Sequence, residues 1–493
     1  KMGPKRKKKD EPPPSKPSAI ELLARLSGKK RMEPTVNDAV EEIEASRIYL
    51  ENLKLKSNVS QDKLNSAGGA LIGAEAQYRD VSGSDYRAQV NVNQRNQKAL
   101  TDLFNSTHGF RWREVFGWTG RKGRSGRLPI GHFEMNASRW YGIHCEIGED
   151  TLCAVVTLNL SDNDLEGTIP KSLCDLSLLR DLNLSHNLLE GTIPDQLLER
   201  IPELQVIKLN ANQLSGDISD VLFISRDKTE ATYYLRILDL SFNLFGGSLP
   251  SEFMLTPLYT YLMELDLSNN QIEGKLQPLI PETHHEEDEE DDDDYEVEIS
   301  CLALRVLRLS NNRFTGEIPK SFSVLTSLRE LDLSNNKLHG HIPEFFSEFP
   351  ALNDLNLSRN SFNGPLFEDI TELTKLERVN LQHNQLTGTI PTDIGELSRL
   401  QTLNLSHNCL RGPIPETIEL LKRIEVLLLH DNEGLHCPIP EGISKLKNLL
   451  DVSLMNPSPS RHLQAPRHHD TRLFYKTRIE APAIGMNNWF SPG

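Results

Sequence analysis

Apolar residues along most of the chain return in one fixed order. Two leucines stand three positions apart and a third follows two further on. An asparagine, an apolar residue, a glycine and Ile-Pro complete the period, and LRELDLSNNKLHGHIP, Leu328–Pro343, is a clean copy. The asparagine marks the copies. It stands at Asn163, Asn187, Asn212, Asn243, Asn270 and Asn312, at spacings of 24, 25, 31, 27 and 42 residues. It then recurs every 24 residues at Asn336, Asn360, Asn384, Asn408 and Asn432. Eleven copies of one period specify a stacked array rather than several independent domains. A coil this short cannot bury its leucines by itself, so the core has to come from its neighbours.

Each part of the period predicts a local structure. The L-x-L pair, such as Leu331 and Leu333, alternates at period two and reads as a short strand with one buried face. The asparagine follows where the chain turns. Its amide has two donors and an acceptor, enough to bond the exposed backbone of the turn and of the next coil. The glycine permits the bend that follows, and the proline ends regular pairing. The remaining residues carry the chain back across the far side.

The pattern resembles the leucine-rich repeat family over residues 98–455, and its L-x-G-x-I-P resembles the plant-type subclass. That resemblance implies an α/β solenoid, a right-handed superhelix with a concave parallel β-sheet, here with a helical N-terminal extension. It also implies a protein partner on the concave surface and no catalysis within the solenoid. The stretch before the repeats looks like the cap of such proteins. A helix there would set Leu100, Leu103 and Phe104 against the first coil, and Trp140, Gly142, Ile143 and Cys145 match the family's W-x-G-[VI]-x-C. Ser138 stands where the family has a cysteine, so the usual cap disulfide is missing, although Cys153 is an alternative partner for Cys145.

Side chains between the buried leucines face out of the sheet. Inside L-x-L they run Asn159, Asn183, Lys208, Asp239, Asp266, Arg308, Asp332, Asn356, Asn380, Asn404 and Leu428. The charged centre of this column, Lys208 to Asp332 with Asn356 and Asn380 beyond it, is the candidate partner-binding surface. The bland alternative is that L-D-L-S and L-N-L-S are stock strings of the family. A second column, the residue before each marker asparagine, ends Arg359, His383, His407 and Asp431. His383, His407 and Asp431 should then be neighbours across adjacent strands, as a weak candidate for a divalent metal or a pH sensor. L-S-H-N is also a common surface variant in the family. No cofactor is expected.

The net charge of -16 is local rather than general, because residues 281–300 alone hold twelve carboxylates and no lysine or arginine. The preceding coil is intact through Leu276 and the next strand set begins at Leu304, so this insertion should sit on the return path as a solvated loop. A cation trap and a contact for a basic partner are the other readings of it. The glycine-rich Gly117–Arg127 carries Arg121, Lys122, Arg124 and Arg127 but lacks nucleotide-loop spacing. Six scattered cysteines make no disulfide framework, no apolar run is long enough to span a membrane, and the basic N-terminus is not followed by a secretory core.

The chain therefore divides into a basic proline-containing tail at 1–34, a helix (36–56) and linker at 35–95, and the cap at 96–154. Eleven repeats occupy 155–455, and 456–493 is an irregular tail with aromatic anchors. No hydrolase, zinc-protease, calcium-loop or kinase signature is present. These features together point to an intracellular, non-enzymatic scaffold, cytoplasmic, cytoskeletal or nuclear, binding protein partners through its concave face and terminal extensions. Nucleic acid is not expected, and oligomeric state is not readable from these features. The competing reading is a receptor-like or defence-type recognition protein.

Overall fold

The computed structural model describes residues 86–118, 140–148, 151–195, 197–222, 234–250, 260–276, 303–435 and 439–454. Contacts divide the chain into two units. One comprises Lys1–Lys98, Pro129–Ser138 and Cys145–Ala154, of which a helical segment and parts of two strands are described. The other, Ala99–Leu128, Arg139–His144 and Val155–Gly493, holds the cap and the repeats.

From the second repeat on, each contributes a three-residue strand centred on the first apolar residue of L-x-L, such as Glu330–Asp332 and Asp354–Asn356. These strands pair in parallel and in chain order within one sheet of thirteen, which begins with Ile143–Gly148 and Thr151–Asn159. The register is one for one, as in Leu265↔Leu307, Leu307↔Leu331 and Leu331↔Leu355. Each of these leucines has 0 % exposure, and the leucine two residues later, such as Leu333 or Leu357, is equally covered. The core is thus a ladder of leucines shared by successive coils, the only way so short a period can bury apolar surface. The array also reaches one strand beyond the last marker asparagine, at Asp451–Ser453.

The marker asparagines work as expected, with one correction of direction. Asn384 Nδ2 donates to the carbonyls of Leu381 (3.1 Å) in its own coil and Leu357 (3.0 Å) in the preceding one. Its Oδ1 accepts from Phe362 N at 3.0 Å, again in the preceding coil. The asparagine therefore reaches back rather than forward, and the same set recurs from Asn187 to Asn432. Asn163 has no earlier coil and bonds Glu114 of the cap instead, donating to its carbonyl and accepting from its N–H.

Two features lie beyond the period-two reading. Short strands through L-x-G make further parallel sheets of four, five and two strands, including Lys337–His341 and Ser361–Pro365. The residue before each marker asparagine is left-handed, with φ from +52° to +56° between Asp162 and Asp431. Asn, Asp and His tolerate that conformation best among residues with a Cβ, which is why this column is rich in them. On the return path, Pro319, Pro343 and Pro415 each open a single 3₁₀ turn that buries Phe322, Phe346 or Ile418.

In the cap, the helix Tyr86–Ser106 begins ten residues before the expected cap boundary, inside the segment read as linker. Burial of Ala99, Leu100, Leu103 and Phe104 outweighs the weak helix propensity of its Asn- and Gln-rich sequence. Phe104, Trp112, Trp118 and Trp140 form a cluster, with Trp112–Trp118 and Trp118–Trp140 ring centroids 4.9 and 5.1 Å apart. Gly142 has φ +75°, and a Cβ there would lie 2.0 Å from the Asn159 carbonyl oxygen, so only glycine fits. Cys145 is buried. The Val36–Lys56 helix, the basic Arg121–Arg127 loop, the acidic insertion and both tails lie outside the described residues. The strands flanking that insertion keep the common register, Glu264↔Val306 and Glu273↔Arg313.

Candidate functional site

Two side chains per strand face outward, not one. In strands such as Ile237–Asp239 and Glu330–Asp332 the central leucine is buried while the residues before and after it point to the opposite face, as period two requires. The expected column, Lys208, Asp239, Asp266, Arg308, Asp332, Asn356 and Asn380, is therefore only half of the concave surface. The other half includes Glu264, Glu330, Asp354 and Arg378, each two residues before a member of that column. The L-x-L notation hid them, because it encloses a single variable residue.

Together the two columns place six carboxylates on five successive strands: Asp239, Glu264, Asp266, Glu330, Asp332 and Asp354. Arg308 sits among them. Its Nε and Nη2 donate to Glu330 at 2.6 and 2.8 Å, and its Nη1 to Glu264 at 3.1 Å and Asp266 at 3.4 Å. Burial opposes the Arg308 charge, but Glu330, Asp266 and Glu264 outweigh it and raise its pKa above the ordinary arginine value. Arg378 pairs with Asp354 at the edge of the band. Burial disfavours the charged form of three carboxylates in the band. Burial, aided by Asp266, raises the Asp239 pKa, burial with Glu330 raises that of Asp332, and burial raises Asp354 even against Arg378. Neither Asp239 nor Asp332 makes an ion pair with a described residue.

The stock strings have a structural purpose too. Asp239 Oδ1 accepts from Ser241 N (3.1 Å) and Ser241 Oγ (2.7 Å), and Asn356 Oδ1 accepts from Ser358 N and Oγ at 3.2 and 2.7 Å. Asn404 does the same with Ser406, and Asn380 accepts from Gln382 N at 3.3 Å. Asparagine or aspartate thus stabilises the strand end wherever it occurs, and Asn356 and Asn380 are buried. Lys208 and Arg308 depart from this use, since neither side chain has an acceptor.

Of the expected set His383, His407 and Asp431, the last two come together with His430 as possible ligands, while His383 only stacks on His407. His383 and His407 stack with centroids 3.9 Å apart and planes 8° from parallel, and His407 Nδ1 lies 3.2 Å from Asp431 Oδ2. His430, absent from the sequence reading because it stands one residue outside the column, joins them edge-on to His407 at 5.1 Å. Burial lowers the pKa of both His383 and His430, with His407 contributing in each case.

The leucine rich repeat family matches this chain at residues 303–362 and 374–433, and a second leucine rich repeat profile matches 154–176, 178–199, 234–255 and 261–282. Receptor-like protein 18 of Arabidopsis thaliana is 31 % identical over 178 residues, which cover 35 % of this chain and 19 % of that relative. The chain thus spans about a fifth of the length of the curated relative it matches. The Arabidopsis receptor kinase HAESA ectodomain, solved with a peptide hormone ligand, superposes with a TM-score of 0.53 at 27 % identity, over 75 % of this chain and 57 % of that one. A TDR receptor structure gives 0.50 at 28 % identity, over 60 % and 46 %. The fold is a leucine-rich repeat solenoid, and the chain is similar to plant receptor-like proteins and receptor ectodomains.

Proposed function

We propose that this chain is a non-enzymatic protein-binding scaffold whose concave face receives a basic segment of a protein partner, and that it works inside the cell. The acidic band carries the reading. Arg308 already neutralises part of it, while Asp239 and Asp332 are held half-covered without a cation. A lysine or arginine from a partner would compensate these partly desolvated carboxylates, where a charge pair contributes most. The terminal extensions give the partner further contacts.

Two observations favour the interior of the cell. Cys174 is a buried free thiol and Cys409 an exposed one, which fits a reducing compartment. Of the Asn-Leu-Ser strings, which accept glycans in secreted chains, Asn356 and Asn404 are buried and bonded to their own serines, whereas Asn159 is exposed. The receptor-like reading keeps its support from the plant receptor relatives and from the peptide bound by HAESA. Imaging tagged full-length chain together with a glycosidase shift assay separates the two. Cytosolic or nuclear signal without glycan is expected; secreted chain glycosylated at Asn105 would overturn the intracellular placement.

A further inference from the structure

The geometry points to a divalent transition-metal site at the C-terminal end of the sheet, formed by His407, His430 and Asp431. The backbone brings them there. His407 and Asp431 hold the left-handed position in successive coils, with φ +54° and +56°, and His430 lies two residues beyond the strand Val426–Leu428. Ligand atoms of the three residues all lie within 4.8 Å of one another. Ligands 2.0–2.1 Å from one ion stand about 3.4 Å apart in a tetrahedron, so small side-chain rotations close the set.

A plain His407–Asp431 ion pair explains part of this corner but not all of it. The His430 Nδ1 atom is buried and finds no hydrogen-bond partner among the described residues. An unpartnered buried ring nitrogen is rare in a native structure unless something binds it. A metal ion between His430, His407 and Asp431 would take it up and leave the carboxylate on the same ion. His383, stacked flat on His407, fixes the plane of that imidazole. Two imidazoles and one carboxylate suit zinc, cobalt, nickel or copper rather than calcium or magnesium, which prefer all-oxygen sets. Three protein ligands leave a fourth position for water or for a side chain of a bound partner. The site stands apart from the acidic band and does not depend on what that band binds.

Zinc and cobalt(II) titration of the full chain tests this. His407→Asn and Asp431→Asn keep a residue that tolerates the left-handed backbone, and His430→Gln keeps a polar side chain. The unsubstituted chain is expected to bind one more zinc ion than any of these variants, with at least tenfold lower Kd for that ion. Its cobalt complex should show the visible bands of a tetrahedral site, lost in all three variants, and zinc should raise its Tm but not theirs. Glu433→Gln, an exposed neighbour, should behave as the unsubstituted chain, and circular dichroism should confirm that every variant is folded. Equal stoichiometry and affinity in folded variants would overturn the proposal, zinc then being held by other histidines such as His284 or His468.

Discussion

Asn384 joins two coils with three hydrogen bonds from one amide, donating to Leu357 and Leu381 and accepting from Phe362. Each buried backbone group left unpaired costs about 1–3 kcal/mol, so Asn384→Ala should lower unfolding stability by at least about 2 kcal/mol in chemical denaturation. Asn384→Asp tests the geometry more sharply. It keeps the acceptor for Phe362 but turns the donor into a second oxygen facing two carbonyls, so it should destabilise more than alanine at pH 7. Equal losses would mean that the amide donors are not engaged. The asparagine was legible in the sequence because its chemistry is invariant from copy to copy. The left-handed residue before it was not, because Asp, His, Ala, Phe, Asn and Arg all occupy that position and only the backbone is common to them.

At the level of the strand, the central apolar residue is buried as expected, although Asp354, Asn356 and Asn380 on the opposite face are buried as well. Glu264, Glu330, Asp354 and Arg378 were missed, though the same alternation would have found them by counting one position further out. The additional sheets through L-x-G gave no signal, since Gly and Pro break any period-two pattern there. The strand-end aspartates carry a pH prediction. Burial raises the carboxyl pKa values of Asp239, Asp332 and Asp354, so the folded chain keeps protons that the unfolded chain has released. Their contribution to stability is fully present below the ordinary carboxylate pKa of about 3.9 and is lost as pH rises through the raised values. Asp332→Asn keeps an acceptor for Ser334 and removes the charge. Its denaturation midpoint should exceed that of the unsubstituted chain at pH 7 and match it near pH 3. A variant less stable at pH 7 would show that the charge is not under strain.

For the whole molecule, the sequence defined the solenoid because the repeat pattern is carried by the core itself. The 42-residue interval between Asn270 and Asn312 leaves the sheet register unchanged on both sides. Deleting His284–Glu298 should therefore shift Tm by no more than about 2 °C, within the range of a surface change. A larger drop in a thermal melt would mean that the acidic segment packs on the coils. The central claim, that the concave acidic band recognises a basic partner segment, is tested most directly by quantitative affinity enrichment of full-length chain from cells. Three forms would be compared: unsubstituted, Glu264→Lys with Asp332→Lys on the concave face, and Glu396→Lys on the exposed return side. A defined partner should fall at least tenfold with the concave variant, stay unchanged with the return-side variant, and bind more weakly as salt is raised. Equal recovery of that partner by all three forms would contradict the account.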